Sequence, residues 1–122
     1  MSADDDWTVP PPVVPGSTIR VIAPSSPFDR ALVLRGLGWL SERFRVEFDP
    51  GLFCRDGFLA GSDDRRLDEL TRALTEPGIA AVLAARGGYG LTRIAHRVPV
   101  EQLRDRPRWV VGFSDITALH VE

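Results

Sequence analysis

The sequence feature that most constrains the fold is an uninterrupted apolar run at residues 79–84, Ile-Ala-Ala-Val-Leu-Ala. A strand that faces water on one side alternates polar and apolar residues, whereas a strand covered on both faces is apolar throughout. Cover on both faces is typical of a parallel sheet with helices packed against each side. The run therefore predicts a parallel strand of an α/β protein.

Three further strands are predicted at residues 19–23, 45–48 and 109–111, which are short runs rich in β-branched and other apolar residues. Segments with helical periodicity separate these runs from one another. Strands that alternate with helices form right-handed βαβ units. The chain is therefore predicted to form a parallel sheet of about four strands with flanking helices.

One helix is predicted after each strand. The first begins at the N-cap residue Asp29 and the second at the N-cap residue Ser62, where a side-chain oxygen can accept a hydrogen bond from the first turn. The third covers residues 91–97, and the last follows the fourth strand. The apolar stripes of the first two helices consist of Val33, Leu37, Leu40 and Phe44, and of Leu67, Leu70 and Leu74.

Charge and composition argue against several classes of function. The net charge of −2 gives no electrostatic reason to expect nucleic acid or an anionic membrane as a partner. Neither a membrane span nor a secretory signal is visible, so a cytoplasmic protein is expected. Cys54 is the single cysteine and excludes an intrachain disulfide. Residues 1–17, rich in proline and aspartate, are predicted to be a flexible leader, and residues 18–122 to be one domain.

Three conspicuous turns follow the first, third and fourth predicted strands, at residues 23–26, 86–90 and 112–115. In a parallel sheet, the carboxyl ends of the strands meet at one edge, and ligands bind in the crevice outside that edge. These turns are therefore predicted to converge on a single site.

Ser114 is a candidate nucleophile in the last of these turns. Gly112 permits a tight turn between a strand and a helix, which would lift the Ser114 hydroxyl clear of the sheet. The sequence lacks the final glycine of the G-x-S-x-G motif, because Ile116 stands at that position. The alternative interpretation is that Ser114 is an ordinary N-cap.

The glycine turn at residues 86–90, Arg-Gly-Gly-Tyr-Gly, allows three interpretations. Unobstructed glycine backbone can direct an N–H group at developing negative charge, as in an oxyanion hole. The turn could also bind phosphate at a helix N-terminus, although it fits neither G-x-G-x-x-G nor the P-loop pattern. The third interpretation is a turn without a chemical role.

The two histidines are not predicted to act as a general base. His120 lies six residues after Ser114, roughly 600° around a helix, so it should point away from the hydroxyl. His96 is expected at the surface or half-buried. The His, Cys and carboxylate residues do not have metal-ligand spacing, so no metal site is predicted.

Together, these segments resemble the LD-carboxypeptidase family of serine peptidases, which includes muramoyl-tetrapeptide carboxypeptidases and microcin C immunity peptidases. The resemblance covers residues 19–120 and is carried by four motifs in order. They are Val-Ile-Ala-Pro-Ser-Ser at 21–26, Gly-Phe-Leu-Ala-Gly-Ser-Asp-Asp-Arg-Arg at 57–66, Arg-Gly-Gly-Tyr-Gly at 86–90 and Val-Gly-Phe-Ser-Asp-Ile-Thr-Ala-Leu-His at 111–120.

The resemblance implies a specific set of roles. Ser114 would be the nucleophile, and the backbone N–H groups of Gly88 and Asp115 would be the oxyanion donors. The fold would be flavodoxin-like or like the amino-terminal domain of class I glutamine amidotransferases. The family needs no metal or organic cofactor, and its members commonly form homodimers.

The resemblance also implies a substrate class. The family cleaves the amide next to a D-amino acid, typically to release D-alanine from murein tetrapeptide during cytoplasmic peptidoglycan recycling. Microcin-type aminoacyl nucleotides are handled by other relatives. Arg86 and Tyr89 could face the ligand or pack against a further domain.

The chain departs from the family pattern in one respect. The Glu and His of the family's triad lie on a carboxyl-terminal domain that this sequence does not contain. Residues 18–122 are therefore interpreted as an incomplete amino-terminal domain, expected to be inactive alone, with exposed apolar surface where the missing domain would dock. Two alternatives stay open: a noncatalytic module that binds peptidoglycan fragments, and a phosphate- or nucleotide-binding module.

Overall fold

The computed structural model describes residues 8–122, which contain a sheet of four parallel strands in the order β2-β1-β3-β4. The strands are β1 (Thr18–Ile22), β2 (Arg45–Phe48), β3 (Ala81–Ala84) and β4 (Trp109–Val111). All three pairings between neighbouring strands are parallel. The predicted fold class, a parallel α/β sheet of about four strands with flanking helices, is confirmed.

The register of the sheet brings the carboxyl ends of the strands to one edge. Val21 pairs with Phe48 of β2 on one side and with Leu83 of β3 on the other. Leu83 in turn pairs with Val111 of β4. The segments that follow β1, β3 and β4 therefore leave the sheet at the same edge, as predicted.

Two longer helices follow β1 and β2, and their predicted caps are confirmed. Helix α1 (Arg30–Leu40) is capped by Asp29, whose carboxylate accepts a hydrogen bond from the Leu32 N–H. Helix α2 (Asp63–Thr75) is capped by the Ser62 hydroxyl. Helix α1 ends before Phe44, which packs on the core from the segment that follows.

The third predicted helix, at residues 91–97, is wrong. The chain instead forms short 3₁₀ turns at Leu91–Arg93 and Ala95–Arg97, because Ile94 has φ −124°, outside the helical region. Leu91 and Ile94 are nevertheless both fully buried. A 3₁₀ turn places residues i and i+3 on one side, so the same apolar spacing suits either structure. After β4, a 3₁₀ turn (Ser114–Ile116) leads into the single-turn helix α3 (Thr117–His120).

The core lies in two clusters, and neighbouring residues of each central strand belong to different clusters. Ile22 and Val82 pack with α2 residues such as Leu70, whereas Val21 and Ala81 belong to the cluster that contains Leu37 of α1. Successive side chains of a strand point to opposite faces. The sheet is therefore covered on both faces, as the apolar run predicts.

The second half of the predicted leader lies against the domain, although it forms neither helix nor strand. The Gly16 N–H donates to the Arg43 carbonyl at 2.7 Å, and the Trp109 indole donates to the Pro11 carbonyl at 2.9 Å. The first part of the predicted leader, residues 1–7, lies outside the described residues. Within residues 8–122, the helices are too short or too polar to cross a bilayer.

Candidate active site

The glycine turn after β3 packs directly against the turn that carries Ser114. A methyl group added to Gly87 would lie 3.0 Å from the Phe113 carbonyl oxygen, 3.1 Å from Cβ of Ser114 and 3.3 Å from the backbone nitrogen of Asp115. Only a residue without a side chain allows this approach without displacing one of the two turns. Ser26, in the turn after β1, also donates its N–H to the Gly87 carbonyl at 3.1 Å, so the structure brings together all three segments predicted to converge.

Ser114 has a backbone conformation that sets it apart from an ordinary capping serine. Its φ of 61° is the single positive value among the non-glycine residues described. An N-cap residue has extended backbone, as Ser62 does with φ −64° and ψ 162°. The 3₁₀ turn after β4 is instead preceded by Phe113 as its extended residue. The geometry excludes the N-cap interpretation of Ser114.

The positive φ of Ser114 is typical of a strained strand-to-helix turn that presents a nucleophile. A non-glycine residue in this region costs on the order of 1–3 kcal/mol, and such strain is concentrated at functional sites. Ser114 is exposed at the edge of the sheet. The hydroxyl therefore lies where a substrate can reach it.

Gly112 and Ile116 explain why the serine motif is only half matched. A methyl group on Gly112 would lie 2.8 Å from Cγ1 of Ile116. Ile116 is buried in the core beneath the turn. The turn therefore needs glycine at position 112. Ile116, which stands where the G-x-S-x-G motif has its final glycine, anchors the turn to the core.

The two predicted oxyanion donors, Gly88 and Asp115, lie on the two adjoining turns. Within residues 8–122, neither backbone N–H group donates to a protein acceptor. The Asp115 carboxylate accepts a hydrogen bond from the Leu91 N–H at 2.9 Å. Asp115 thereby joins the serine turn to the end of the glycine turn while its own N–H stays available. Their role as oxyanion donors stays a prediction.

Arg66 lies beneath the site and was not singled out from the sequence. Its side chain is fully buried and donates to the carbonyls of Pro24 and Gly90, both at 2.9 Å. It also pairs with Asp63 at the start of α2. Burial lowers the pKa of Arg66, and the Asp63 carboxylate opposes that shift. One guanidinium thus holds the segments after β1 and β3 together.

A second ion pair on α2, between Arg65 and the buried Glu69, fixes the end of β1. The Glu69 carboxylate accepts a hydrogen bond from the Ala23 N–H at 2.7 Å, and Arg65 donates to the Ala23 carbonyl at 2.9 Å. The sequence carries a signal for these residues. Arg66 and Glu69 each lie four residues before an apolar residue, Leu70 and Ala73 respectively, so helical spacing places them on the inward face.

The histidines lie where the sequence indicates. His120 interacts through Nε2 with the Val110 carbonyl at 3.1 Å, and His96 is exposed. Among the described residues, the Ser114 hydroxyl forms no hydrogen bond with a His, Glu or Asp side chain. In the same part of the chain, His, Cys, Asp and Glu residues form no group of three that could hold a metal ion.

Apolar surface is exposed around the site and along β4. The side chains of Tyr89 and Phe113 are 54% and 83% exposed, respectively. Arg86, in the same glycine turn as Tyr89, donates a hydrogen bond to the Pro27 carbonyl at 2.6 Å. A hollow of about 440 Å³ lies beneath the open edge of β4. It is lined mainly by Val100, Leu103, Arg108, Trp109, Val110 and Leu119 and does not include Ser114.

These observations define an α/β protein with a four-stranded parallel sheet and a strained serine turn at the carboxyl ends of the strands. Comparison with known proteins assigns the family. The family model for the LD-carboxypeptidase N-terminal domain matches residues 19–122. The chain belongs to the LD-carboxypeptidase family, and the predicted family membership is confirmed.

Individual relatives agree with this assignment. The chain is 40% identical over 106 residues to a probable murein peptide carboxypeptidase of Bacillus subtilis, covering 86% of this chain and 33% of the relative. A solved muramoyltetrapeptide carboxypeptidase of Oxalobacter formigenes is 31% identical with a TM-score of 0.72, and the match covers 83% of this chain and 34% of that one. The microcin C7 self-immunity protein MccF shares the fold, with a TM-score of 0.86 at 21% identity over 93% of this chain and 35% of MccF.

The matches cover only part of each relative. The chain spans 33–40% of the length of the curated carboxypeptidases to which it is similar. The activity of the whole relatives is therefore a matter for a proposal about this chain.

Proposed function

We propose that this chain supplies the nucleophile and the oxyanion donors of a serine peptidase that hydrolyses the amide next to a D-amino acid in murein peptides. The observation that carries the proposal is the strained, exposed Ser114 packed against a glycine turn. Relatives named for murein peptide and muramoyltetrapeptide support the substrate class. The setting proposed is cytoplasmic peptidoglycan recycling.

The reaction would begin at Ser114. Its Oγ attacks the scissile carbonyl carbon, while a general base accepts the hydroxyl proton. The resulting oxyanion accepts hydrogen bonds from the N–H groups of Gly88 and Asp115, and one such donor is typically worth about 2.7–4 kcal/mol. The C–N bond then breaks, and the amine of the D-amino acid leaves with a proton. Water hydrolyses the acyl-serine that remains.

We further propose that the general base comes from outside residues 8–122. Neither histidine is placed to accept the Ser114 proton, since His120 interacts with the Val110 carbonyl. A serine without an adjacent base is a weak nucleophile. The family's Glu and His, carried on a carboxyl-terminal domain, would supply what the described residues lack.

The experiment compares the 122-residue chain alone with the same chain joined to the carboxyl-terminal part of the Bacillus subtilis relative. Both are incubated with murein tetrapeptide, and released D-alanine is measured. We expect release only from the joined protein, and none from its Ser114→Ala variant.

Three results would contradict parts of the proposal. Rapid release by the chain alone would show that the base lies within it. Release that survives Ser114→Ala would show that Ser114 is not the nucleophile. The third result is that the joined protein and its Ser114→Ala variant bind the tetrapeptide equally well and neither cleaves it. The chain would then be a noncatalytic binding module.

A further inference from the structure

Ser26, on the segment after β1, holds the backbone on both sides of Gly88. Its N–H donates to the Gly87 carbonyl at 3.1 Å, and its hydroxyl oxygen accepts a hydrogen bond from the Tyr89 N–H at 2.9 Å. Ser26 itself is 8% exposed, and its hydrogen bond with the Tyr89 N–H is partly buried. A single residue therefore fixes two consecutive peptide groups.

The first of these contacts determines where the Gly88 N–H points. The carbonyl of Gly87 and the N–H of Gly88 belong to the same planar trans peptide group, so they point in opposite directions. Because Ser26 binds that carbonyl, the Gly88 N–H is turned away from Ser26. Like the Asp115 N–H, this N–H group has no protein acceptor among residues 8–122.

The Ser26 side chain also supports the Gly88 Cα by direct contact. A methyl group on Gly88 would lie 2.2 Å from the Ser26 hydroxyl oxygen and 2.6 Å from its Cβ. Gly88 has φ 97°, a conformation that residues with side chains rarely adopt. Ser26 and Gly88 are thus fitted to each other through both backbone and side-chain contacts.

We propose that Ser26 is a positioning residue that orients the Gly88 N–H as an oxyanion donor. The inference rests on the proposed function, because it gives that N–H a role in the reaction. A donor fixed before the reaction needs no reorganisation when charge develops. Without the Ser26 hydroxyl, the backbone contact to the Gly87 carbonyl remains, but the Gly88–Tyr89 peptide group is no longer held. The backbone at the Gly88 Cα can then turn, and the donor N–H is fixed on one side instead of two.

Ser25 provides a matched control beside Ser26. It is fully buried in the same segment, and its hydroxyl has no hydrogen-bond partner within the described part of the chain. Ser25→Ala therefore removes the same group from the next residue without removing a contact to the glycine turn. A nonspecific loss of packing in this segment would affect Ser25→Ala and Ser26→Ala alike.

The test uses the joined protein of the preceding experiment, which carries the proposed general base, and a peptide boronic acid as the probe. The Ser114 oxygen adds to the trigonal boron, an O–B bond forms, and the hydroxyl proton passes to buffer, which leaves a tetrahedral boronate anion. Boron NMR measures the affinity, and the Gly88 amide signal reports its hydrogen bond to the adduct. Amide hydrogen exchange at Tyr89 reports the Ser26 contact independently of the probe.

We expect Ser26→Ala to weaken adduct formation roughly tenfold, as for the loss of one well-placed hydrogen bond. The shift of the Gly88 amide signal on adduct formation should shrink in the same variant, and Tyr89 exchange should accelerate about tenfold. Ser25→Ala should stay within about twofold of the unmodified chain in both measurements, with thermal unfolding recorded for each variant.

The two proposals fail in different ways. Unchanged Tyr89 exchange or unchanged adduct affinity in Ser26→Ala would overturn the role of Ser26, and so would an equal loss in Ser25→Ala. A protected Tyr89 amide in a joined protein that forms no Ser114-dependent adduct would instead overturn Ser114 as the nucleophile.

Discussion

Ser114 holds a conformation that glycine would adopt at lower cost, so function and stability make opposite demands at this residue. The positive φ of 61° places its Cβ against the backbone. Serine can be retained there only because the packed turns on either side fix the backbone. The hydroxyl is what this strain presents to solvent.

The first prediction concerns Ser114→Gly. The substitution should raise the free energy of unfolding by about 1 kcal/mol, because it relieves the backbone strain in the folded state. The greater freedom that glycine gives the unfolded chain offsets part of this gain. In the joined protein, the boronate adduct should no longer form and D-alanine should no longer be released. Urea unfolding of the purified variant measures the first effect.

Ser62→Gly is the control for that substitution. Ser62 has extended backbone and caps α2, so glycine there should lower stability by a few tenths of a kcal/mol. A destabilised Ser114→Gly variant would show that the positive φ of Ser114 is not a source of strain.

Among individual residues, the sequence singled out Ser114 as a candidate nucleophile but not the residues that hold the adjoining glycine turn in place. A glycine two residues before a serine suits an elbow and a capped helix alike, and only the backbone conformation separates the two. Ser26 was missed because the N–H group that its side chain binds, that of Tyr89, lies 63 residues away. Local patterns carry no information on such a contact.

Helix α2 is the element that organises the edge of the sheet. Its first turns direct Arg65, Arg66 and Glu69 inward, toward backbone groups of the segments after β1 and β3. These contacts satisfy polar backbone groups that no strand partner can reach. The helix therefore supports the turns from below while Ser114 lies exposed above.

The second prediction tests this support with Arg66→Met, which keeps an apolar side chain of similar length. The carbonyls of Pro24 and Gly90 lose a buried donor, and each such orphaned group costs about 1–3 kcal/mol. We expect a loss of about 3 kcal/mol of stability, since Asp63 keeps its pairing with Arg93. Chemical unfolding measures the loss.

Arg97→Gln is the matched control on the neighbouring segment. Arg97 lies 3.8 Å from Asp64 in an exposed ion pair, and such pairs contribute between zero and about 1 kcal/mol. If Arg66→Met were no more destabilising than Arg97→Gln, the buried guanidinium would not be holding the two segments.

Among the elements, the strands and the caps were predicted correctly, whereas the third helix was not. The strands depend on short runs rich in β-branched and other apolar residues, and the caps on single polar residues at fixed offsets; both are local signals. The segment at residues 91–97 has apolar residues at spacings that fit either an α-helix or successive 3₁₀ turns. Packing against the core decides between them.

For the whole molecule, the sequence predicted parallel strands and the convergence of their following turns. It did not predict that β1 lies between β2 and β3, because that order depends on pairings between distant segments. The outer edge of β4 has no strand partner within residues 8–122, and Val111 on it is 48% exposed. The strand that carries the site is thus an edge strand of the described sheet.

The third prediction concerns acid stability, which depends on ion pairs that join distant segments. A hydrogen bond from Arg93 lowers the pKa of Asp63, and one from Arg72 lowers the pKa of Asp49. Carboxyl groups with a lowered pKa in the folded state stabilise it at any pH above the unfolded value of 3.8. As the pH falls below that value, the unfolded chain binds protons first.

Stability should therefore decline from about pH 4 downward, through the lower pKa values of the folded state. Urea midpoints measured between pH 6 and about pH 2.5 would record this decline.

The double variant Asp49→Asn/Asp63→Asn should be less stable than the unmodified chain at pH 6 and should lose less stability on acidification. Asp105→Asn, at an exposed carboxylate without an ion pair in the described residues, should leave the slope unchanged. An equally steep decline in the double variant would show that carboxylates elsewhere govern acid unfolding, and that the links from α2 to the segments at Asp49 and Arg93 contribute little to folding.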